Sequence, residues 1–422
     1  MQRIVFRNAN LIGGDSERRS GTSVVVTGER ITAVETGPVA AKPADRTIDL
    51  AGKTLMPGMI SCHFHSTYAD LSVMPAPLGL EKPPGYLTLL AASNLQKALS
   101  SGFTSVVSGG GIGDGIDAQC KLAIEDGVIE GPRFVAGGRG LDVPGGYSDA
   151  ESWWWGLTNH GGHHLCNGPE GFRAAVREEI RRGCEIIKLF PSGGHATEKP
   201  HIGVSLTREE LEVTCEAAHQ RGAMVRAHSP GKDSILACTR AGVDVIDHGD
   251  EIDEECIELM LRAGNSLVPS MYFTDQLLKQ SEGSASGTSS QMAPLKEGFE
   301  QIRKLLPVAN QAGLRIVAGD DYGLNFLSHG RYAEELEFYV DSVGIRPLDV
   351  IRWATRNGAE LMGRGDDLGT IAVGKLADLL VVDGDPSTDI AVLKDRTRLT
   401  AIMKGGVFYK DELEGAQHLP TA

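Results

Sequence analysis

The feature that most constrains the fold is an alternation through the middle of the chain. Short apolar runs (TSVVSGG, RFVAGG, EIIKLFPSGG, AMVRAHS, VDVIDHG, NSLVPSM, RIVAGDD) are separated by segments whose apolar residues recur three or four apart. LTREELEVTCEAAHQRG, DEECIELMLRAG and PLDVIRWATRNGAELMG are such segments, each with a glycine at or near its end, and they read as helices. With MISCHFH in front, eight strands are predicted. Eight βα units in about 300 residues match an α/β fold of the (β/α)8 TIM-barrel type. An open doubly wound sheet is the alternative for the same pattern.

The ends of the chain differ from the middle. Residues 2–57 and the last 55 residues read as short strands and turns without long helical periodicity. The expected organisation is therefore a composite β-sandwich from 1–57 and 366–422, and a barrel over 58–365. QSEGSASGTSSQM, residues 280–292, is low in complexity and predicts a mobile loop.

A net charge of −15 argues against nucleic acid or an anionic membrane as the main partner. No run of 18 apolar residues exists, and the N-terminus lacks the apolar core of a signal peptide. The seven cysteines are scattered, odd in number and form no CxxC, which predicts reduced thiols in a cytoplasmic protein. A small-molecule substrate and a homo-oligomer are the expected partners.

Polar residues stand where the predicted strands end. His63 and His65 close the first strand; Lys188 lies in the fourth; His228, His248 and Asp321 close the fifth, sixth and eighth. A strand points residues i and i+2 to one face, so the two histidines of HFH look the same way. Barrel active sites lie at the C-terminal ends of the strands. Each residue alone has a plain structural explanation: a core histidine, a snorkelling lysine, an aspartate capping a helix. Their joint placement at successive strand ends points to a metal centre.

Lys188 is the unusual member of the set. Burial pushes an amine toward its neutral form, and a neutral amine reacts with CO2 to give an anionic, two-oxygen carbamate. The proposed centre has His63, His65 and Asp321 on one divalent metal and His228 and His248 on the other. Carboxylated Lys188 (N6-carboxylysine) and a hydroxide span both. Imidazole and carboxylate ligands suit zinc, and manganese or cobalt also fit.

The order PGMISCHFH, EIIKLF, RAHS, IDHG, AGDD resembles the binuclear amidohydrolase superfamily. GVSLTREELEVTCEAAHQRGAMVRAHSPG, SHGRYAEELEFYVDSVGIRPLDVIRWATRNGAELMG and GTIAVGKLADLLVVDGDP resemble its imidazolonepropionase-like and Xaa-Pro dipeptidase (prolidase) branch. The resemblance covers nearly the whole chain. It implies a distorted (β/α)8 barrel with a composite β-sandwich, the ligands named above and a carboxylated Lys188. It also favours Asp321 over Asp320, the two pointing to opposite faces of an extended strand. The chain departs from the dipeptidase pattern in two places. Ser229 follows His228 where a substrate-binding tyrosine is expected, and Tyr147 stands where relatives often show a histidine.

The expected activity is cleavage of an amide bond in an N-acyl amino acid, an Xaa-Pro-type dipeptide or an aryl amide. A metal-bridging hydroxide attacks, and Asp321 acts as general base and then acid. An ester, lactone or cyclic amide is the alternative substrate. A mononuclear deaminase is disfavoured, because the resemblance would place a glutamate three residues after His228, where Gly231 stands. A non-catalytic scaffold would be expected to have lost ligands. Tyr147, His195, His201 and Trp154 are candidate substrate contacts, and Lys199 shares the loop of His195. His163 and His164 are expected on a loop. GGGIGDG, 109–115, reads as a barrel loop and does not fit GxGxxG.

Overall fold

The computed structural model describes residues 3–15, 18–71, 82–149, 154, 159–195, 203–282 and 289–413. It separates into two compact units, one of Met1–Ile60, Lys97–Ser105 and Arg331–Ala422, the other of Ser61–Gln96 and Val106–Gly330.

The first unit holds an eight-stranded sheet drawn from both ends of the chain. Arg3–Ile12 pairs antiparallel with Arg18–Thr27, which pairs with Arg30–Thr36, and parallel with Arg46–Asp49; Thr54–Pro57 joins this group to Leu379–Val382, Leu399–Lys404 and Val407–Asp411. Alternation does the folding here. Ile4, Phe6, Val24, Val26, Leu55, Leu379, Val381 and Met403 share one buried core. PLDVIRWATRNGAELMG is helical, as its periodicity predicts, but Trp353–Asn357 is a π-helical turn between Pro347–Arg352 and Gly358–Leu361.

The second unit carries the barrel. Its strands are the ends of Met59–Phe64 and Phe103–Ser108 (from Ser61 and from Val106), an interrupted third strand (Arg133–Val135 and Gly137–Asp142), Ile186–Leu189, Met224–His228, Val245–Asp247, Ser266–Val268 and Arg315–Ile316. From Gly137–Asp142 onward each pairs in parallel with the next. The Cys62 amide donates to the Ala318 carbonyl at 2.7 Å, joining the end of the eighth unit to the first strand. An open doubly wound sheet would leave those edges apart. The fold is thus the expected TIM-type barrel with an additional sheet domain.

Helices start where their caps dictate. Thr207 and Glu210 form a reciprocal capping box at the head of Arg208–His219, worth about 1 kcal/mol. Asp253 caps Glu254–Ala263, which Gly264 ends at φ +79°.

Two expectations need correction. The stretch 280–292 is not one loop: Met271–Glu282 runs into it and Ser289–Gln311 begins inside it, leaving 283–288 outside the described residues. His163–Leu165 is a short strand, not a loop, because its backbone pairs in parallel with Gly140–Asp142. All seven cysteines are buried free thiols. Among the described residues no helix is long and apolar enough to cross a membrane.

Candidate metal centre

His63 and His65 stand at the end of the first barrel strand, and both are buried. His63 Nε2 and His65 Nε2 lie 3.1 Å apart, and each is 2.9 Å from Asp321 Oδ1. Three ligand atoms thus form a triangle with edges near 3 Å. A tetrahedral ion with bonds of ~2.0 Å would set edges of about 3.3 Å. The His65 ring is already turned for this: its Nδ1 donates to the Gly110 carbonyl at 2.8 Å, leaving the Nε2 lone pair inward.

The two aspartates of AGDD point apart, although the strand itself ends at Ile316 and they lie in the segment beyond it. Asp320 is fully buried and turned outward; its carboxylate accepts from the amides of Phe273 and Asp321 at 3.1 and 2.8 Å. Asp321 faces the imidazoles. Burial alone would raise its pKa, but the His63, His65 and His248 rings hold it well below the usual carboxylate range.

His228 and His248 close the fifth and sixth strands, their rings 4.5 Å apart. His228 Nε2 and His248 Nδ1 are buried without a hydrogen-bond partner. Burial holds both rings well below pKa 6.5, with Lys188 adding to the effect at His228 and His195 at His248. Buried imidazoles kept neutral, with unpaired nitrogens, are suited to a cation. Half-buried Tyr147 stacks on His228 with centroids 4.6 Å apart and planes at 13°.

Lys188 points into the barrel. Its Nζ donates to Asp247 Oδ2 at 2.6 Å. Burial lowers the lysine's pKa, only partly offset by Asp247. Asp247 is pulled the other way: burial would raise it, but Arg226, Lys188 and His63 hold it well below its ordinary value. The two shifts favour a charged carboxylate beside an amine that gives up its proton readily. This is consistent because Asp247 has a second cation. Arg226 donates Nε to Asp247 Oδ2 at 3.0 Å and Nη2 to Oδ1 at 2.5 Å. Arg226 Nη1 donates to the carbonyls of Cys62 and Ser108, and Nη2 lies 2.9 Å from His63 Nδ1.

Neither Arg226 nor Asp247 was singled out by sequence. Arg226 sits two residues before His228 on its strand, and a charged residue inside AMVRAHS was the only local signal. His195, by contrast, was a loop candidate and is now 95 % buried; its Nδ1 lies 3.1 Å from both oxygens of Asp250, and its ring stacks on His248 at 3.7 Å. Burial disfavours its charged form, but Asp250 outweighs burial and raises its pKa. Trp154 is 67 % exposed, whereas Lys199 and His201 lie outside the described residues.

The glycines of GGGIGDG have a packing role that the sequence concealed. A Cβ on Gly109 would lie 2.4 Å from His63 Cδ2 and 2.9 Å from His65 Cε1. A Cβ on Gly319, whose φ is +154°, would meet the His63 amide nitrogen at 2.3 Å. Backbone must approach the histidine pair this closely for the second and eighth strands to flank it.

Residues 54–408 match the amidohydrolase family model. The ochratoxinase of Aspergillus niger is 30 % identical over 420 residues, covering 95 % of this chain and 85 % of that protein; its crystal structure superposes with a TM-score of 0.85 at 26 % identity, over 99 % of this chain and 98 % of that one. A Xaa-Pro dipeptidase with methionine bound in its active site is 27 % identical with a TM-score of 0.84, over 97 % of this chain and all 100 % of that one. A prolidase complexed with N-methylphosphonate-L-proline is 30 % identical with a TM-score of 0.84, over the same shares, 97 % and 100 %. The chain therefore belongs to the amidohydrolase family, in the branch its motifs resemble, and is a hydrolase acting on amide bonds.

Proposed function

We propose that this protein is a binuclear metal-dependent hydrolase cleaving the amide bond of a small N-acyl amino acid, Xaa-Pro-type dipeptide or aryl amide. The observation that carries the reading is the triangle of His63 Nε2, His65 Nε2 and Asp321 Oδ1, with edges of 2.9 to 3.1 Å. The neighbouring unpaired nitrogens of His228 and His248 supply donors for a second ion. His63, His65 and Asp321 would hold one metal, His228 and His248 the other, with carboxylated Lys188 between them; zinc fits this donor set, as do manganese and cobalt. Divalent metals here supply Lewis acidity and lower the pKa of water to near neutrality.

The chain's own residues do the rest. Asp321 stays ionised because imidazoles surround it, so its carboxylate takes the proton of the attacking water. It then gives that proton to the nitrogen of the leaving amine, which departs neutral. The Gly110 carbonyl fixes the His65 ring from behind at 2.8 Å, and the Arg226 guanidinium, held by Asp247, lies 2.9 Å from His63 Nδ1. Tyr147, stacked on His228, is the candidate wall for the substrate's side group.

Support for the substrate class comes from the relatives. One binds methionine in its active site and another binds a tetrahedral phosphorus attached to proline. Both ligands carry an amino-acid carboxylate, which points to substrates that release a free amino acid.

The test is a screen of dipeptides and N-acyl L-amino acids against protein loaded with zinc, manganese or cobalt, read as released amine. Turnover of one class is expected. Turnover of esters or lactones with no amide cleaved would overturn the reading. A small-molecule partner and self-assembly into a homo-oligomer belong to the same proposal, the latter checked by mass in solution.

A further inference from the structure

His195 brings an unused acceptor to the site. Its side chain is 2 % exposed, and its backbone takes a left-handed φ of +48°, which a non-glycine residue keeps where its surroundings enforce it. Three neighbours fix the ring. Nδ1 lies 3.1 Å from both oxygens of Asp250. The ring stacks on His248, with centroids 3.7 Å apart and planes at 19°, and on Phe273 at 5.4 Å and 26°. Rings lying face to face send their in-plane nitrogens out side by side, so His195 does not join His248 on one ion. The His228 ring is 6.3 Å away. His195 therefore stands outside the metal-binding set.

Its second nitrogen is what remains. Nε2 is buried with no hydrogen-bond partner among the described residues, 3.9 Å from Asp321 Oδ2. Asp321 Oδ1 meets the His63 and His65 nitrogens at 2.9 Å each, so Oδ2 is the oxygen left to carry the proton in the mechanism above. Asp250 holds the ring proton of His195 on Nδ1. A second proton is opposed by the divalent charge that His248 would carry against the ring, so Nε2 presents a lone pair. Nε2 and ionised Asp321 Oδ2 are then two acceptors 3.9 Å apart, and a donor between them satisfies both. A single atom can lie within hydrogen-bond reach, about 3 Å, of each. A leaving nitrogen placed to take the proton from Oδ2 is therefore within reach of Nε2.

We propose that His195 Nε2 accepts a hydrogen bond from the N–H of the scissile amide, making the site selective for secondary amides over tertiary, prolyl-type ones. The proposal rests on the amide-hydrolase reading above and narrows its substrate class. An N-acyl amino acid or an aryl amide supplies that N–H. An Xaa-Pro bond has none and leaves Nε2 buried without a donor. A site built to pair such a group rejects the analogue that lacks the hydrogen.

The test is kcat/KM of zinc-loaded protein on matched pairs. Each amide in the screen above is paired with its N-methyl analogue, beginning with N-acetyl-L-methionine, and methionyl-alanine is paired with methionyl-proline. Each pair is read as a ratio within one preparation, so the fraction of active enzyme cancels. Wild type should favour the N–H member by about 10–100-fold. His195→Leu should bring the ratio to within about threefold, mainly by losing rate on the N–H member. His195→Gln, whose side-chain carbonyl accepts a hydrogen bond, should keep part of the preference. Both variants should hold as much metal as wild type; loss of one equivalent in both would make His195 a ligand and overturn the proposal. Equal wild-type rates within a pair, or a ratio that His195→Leu leaves unchanged, would overturn it while the amide-hydrolase reading stands. Cleavage of no amide at all would overturn both.

Discussion

Arg226 and Asp247 form an enclosed ion pair directly behind the imidazole cluster, with contacts of 2.5 and 3.0 Å and neither side chain reaching solvent. Removing one partner of such a pair strands the other charge in a low-dielectric interior. Arg226→Met is expected to cost about 3–5 kcal/mol of stability. It should also lower metal affinity, because the His63 ring loses the guanidinium 2.9 Å from its Nδ1. Urea unfolding and metal content check both; a loss below about 1 kcal/mol would show that Lys188 or solvent replaces the arginine.

The same pair leaves Lys188 free to react. With Arg226 satisfying Asp247, the lysine can lose its proton without leaving the carboxylate unpaired. Intact protein prepared with bicarbonate should carry the mass of one added CO2, lost in Lys188→Ala. That variant should bind metal poorly and recover part of its activity with a short carboxylic acid. Two bound metals and full activity without rescue would contradict the carbamate.

Asp321→Asn should retain its fold while turnover falls about 10²–10⁴-fold. Asp320→Asn should act on stability instead, by about 1–3 kcal/mol, because one of the two buried backbone amides then meets an NH2 group in place of its acceptor. Kinetics and melting curves on both variants separate the roles; the reverse pattern would exchange them.

Asp117 lies behind the first two strands, accepting from Ser66 and Ser108, and burial pushes its pKa up to about 6 from an ordinary 3.8. Between those two values the folded chain holds a proton that the unfolded chain has released. This group's contribution therefore lowers stability as pH rises through that window, by about 3 kcal/mol in all, and is flat above it. Asp117→Asn has no such titration. Its stability relative to wild type should improve from pH 4 to pH 7, measured by urea unfolding; a constant difference would refute the shift.

Gly109→Ala places a methyl 2.4 Å from the His63 ring. The ring or the strand must move, at about 1–3 kcal/mol. The loss should appear in metal affinity as well as in melting temperature. An alanine variant with wild-type metal content would mean that the ring has room to turn away.

Much of this molecule is written locally. Alternation set the eight strands, periodicity set the helices, and the cap residues Thr207 and Asp253 set where two of them begin. His63, His65, His228, His248 and Asp321 were legible because each lies at or just beyond the end of a strand, and strand ends share one rim of a barrel. The partners behind them were not. Arg226 meets Asp247 across 21 residues, His195 meets Asp250 across 55, and Ser66 meets Asp117 across 51. No local period records such pairs. They are chosen when the closed barrel buries charges that must then find each other, so only the tertiary structure decides which carboxylate orients which ring, and which glycine lets two strands come within contact of the histidines.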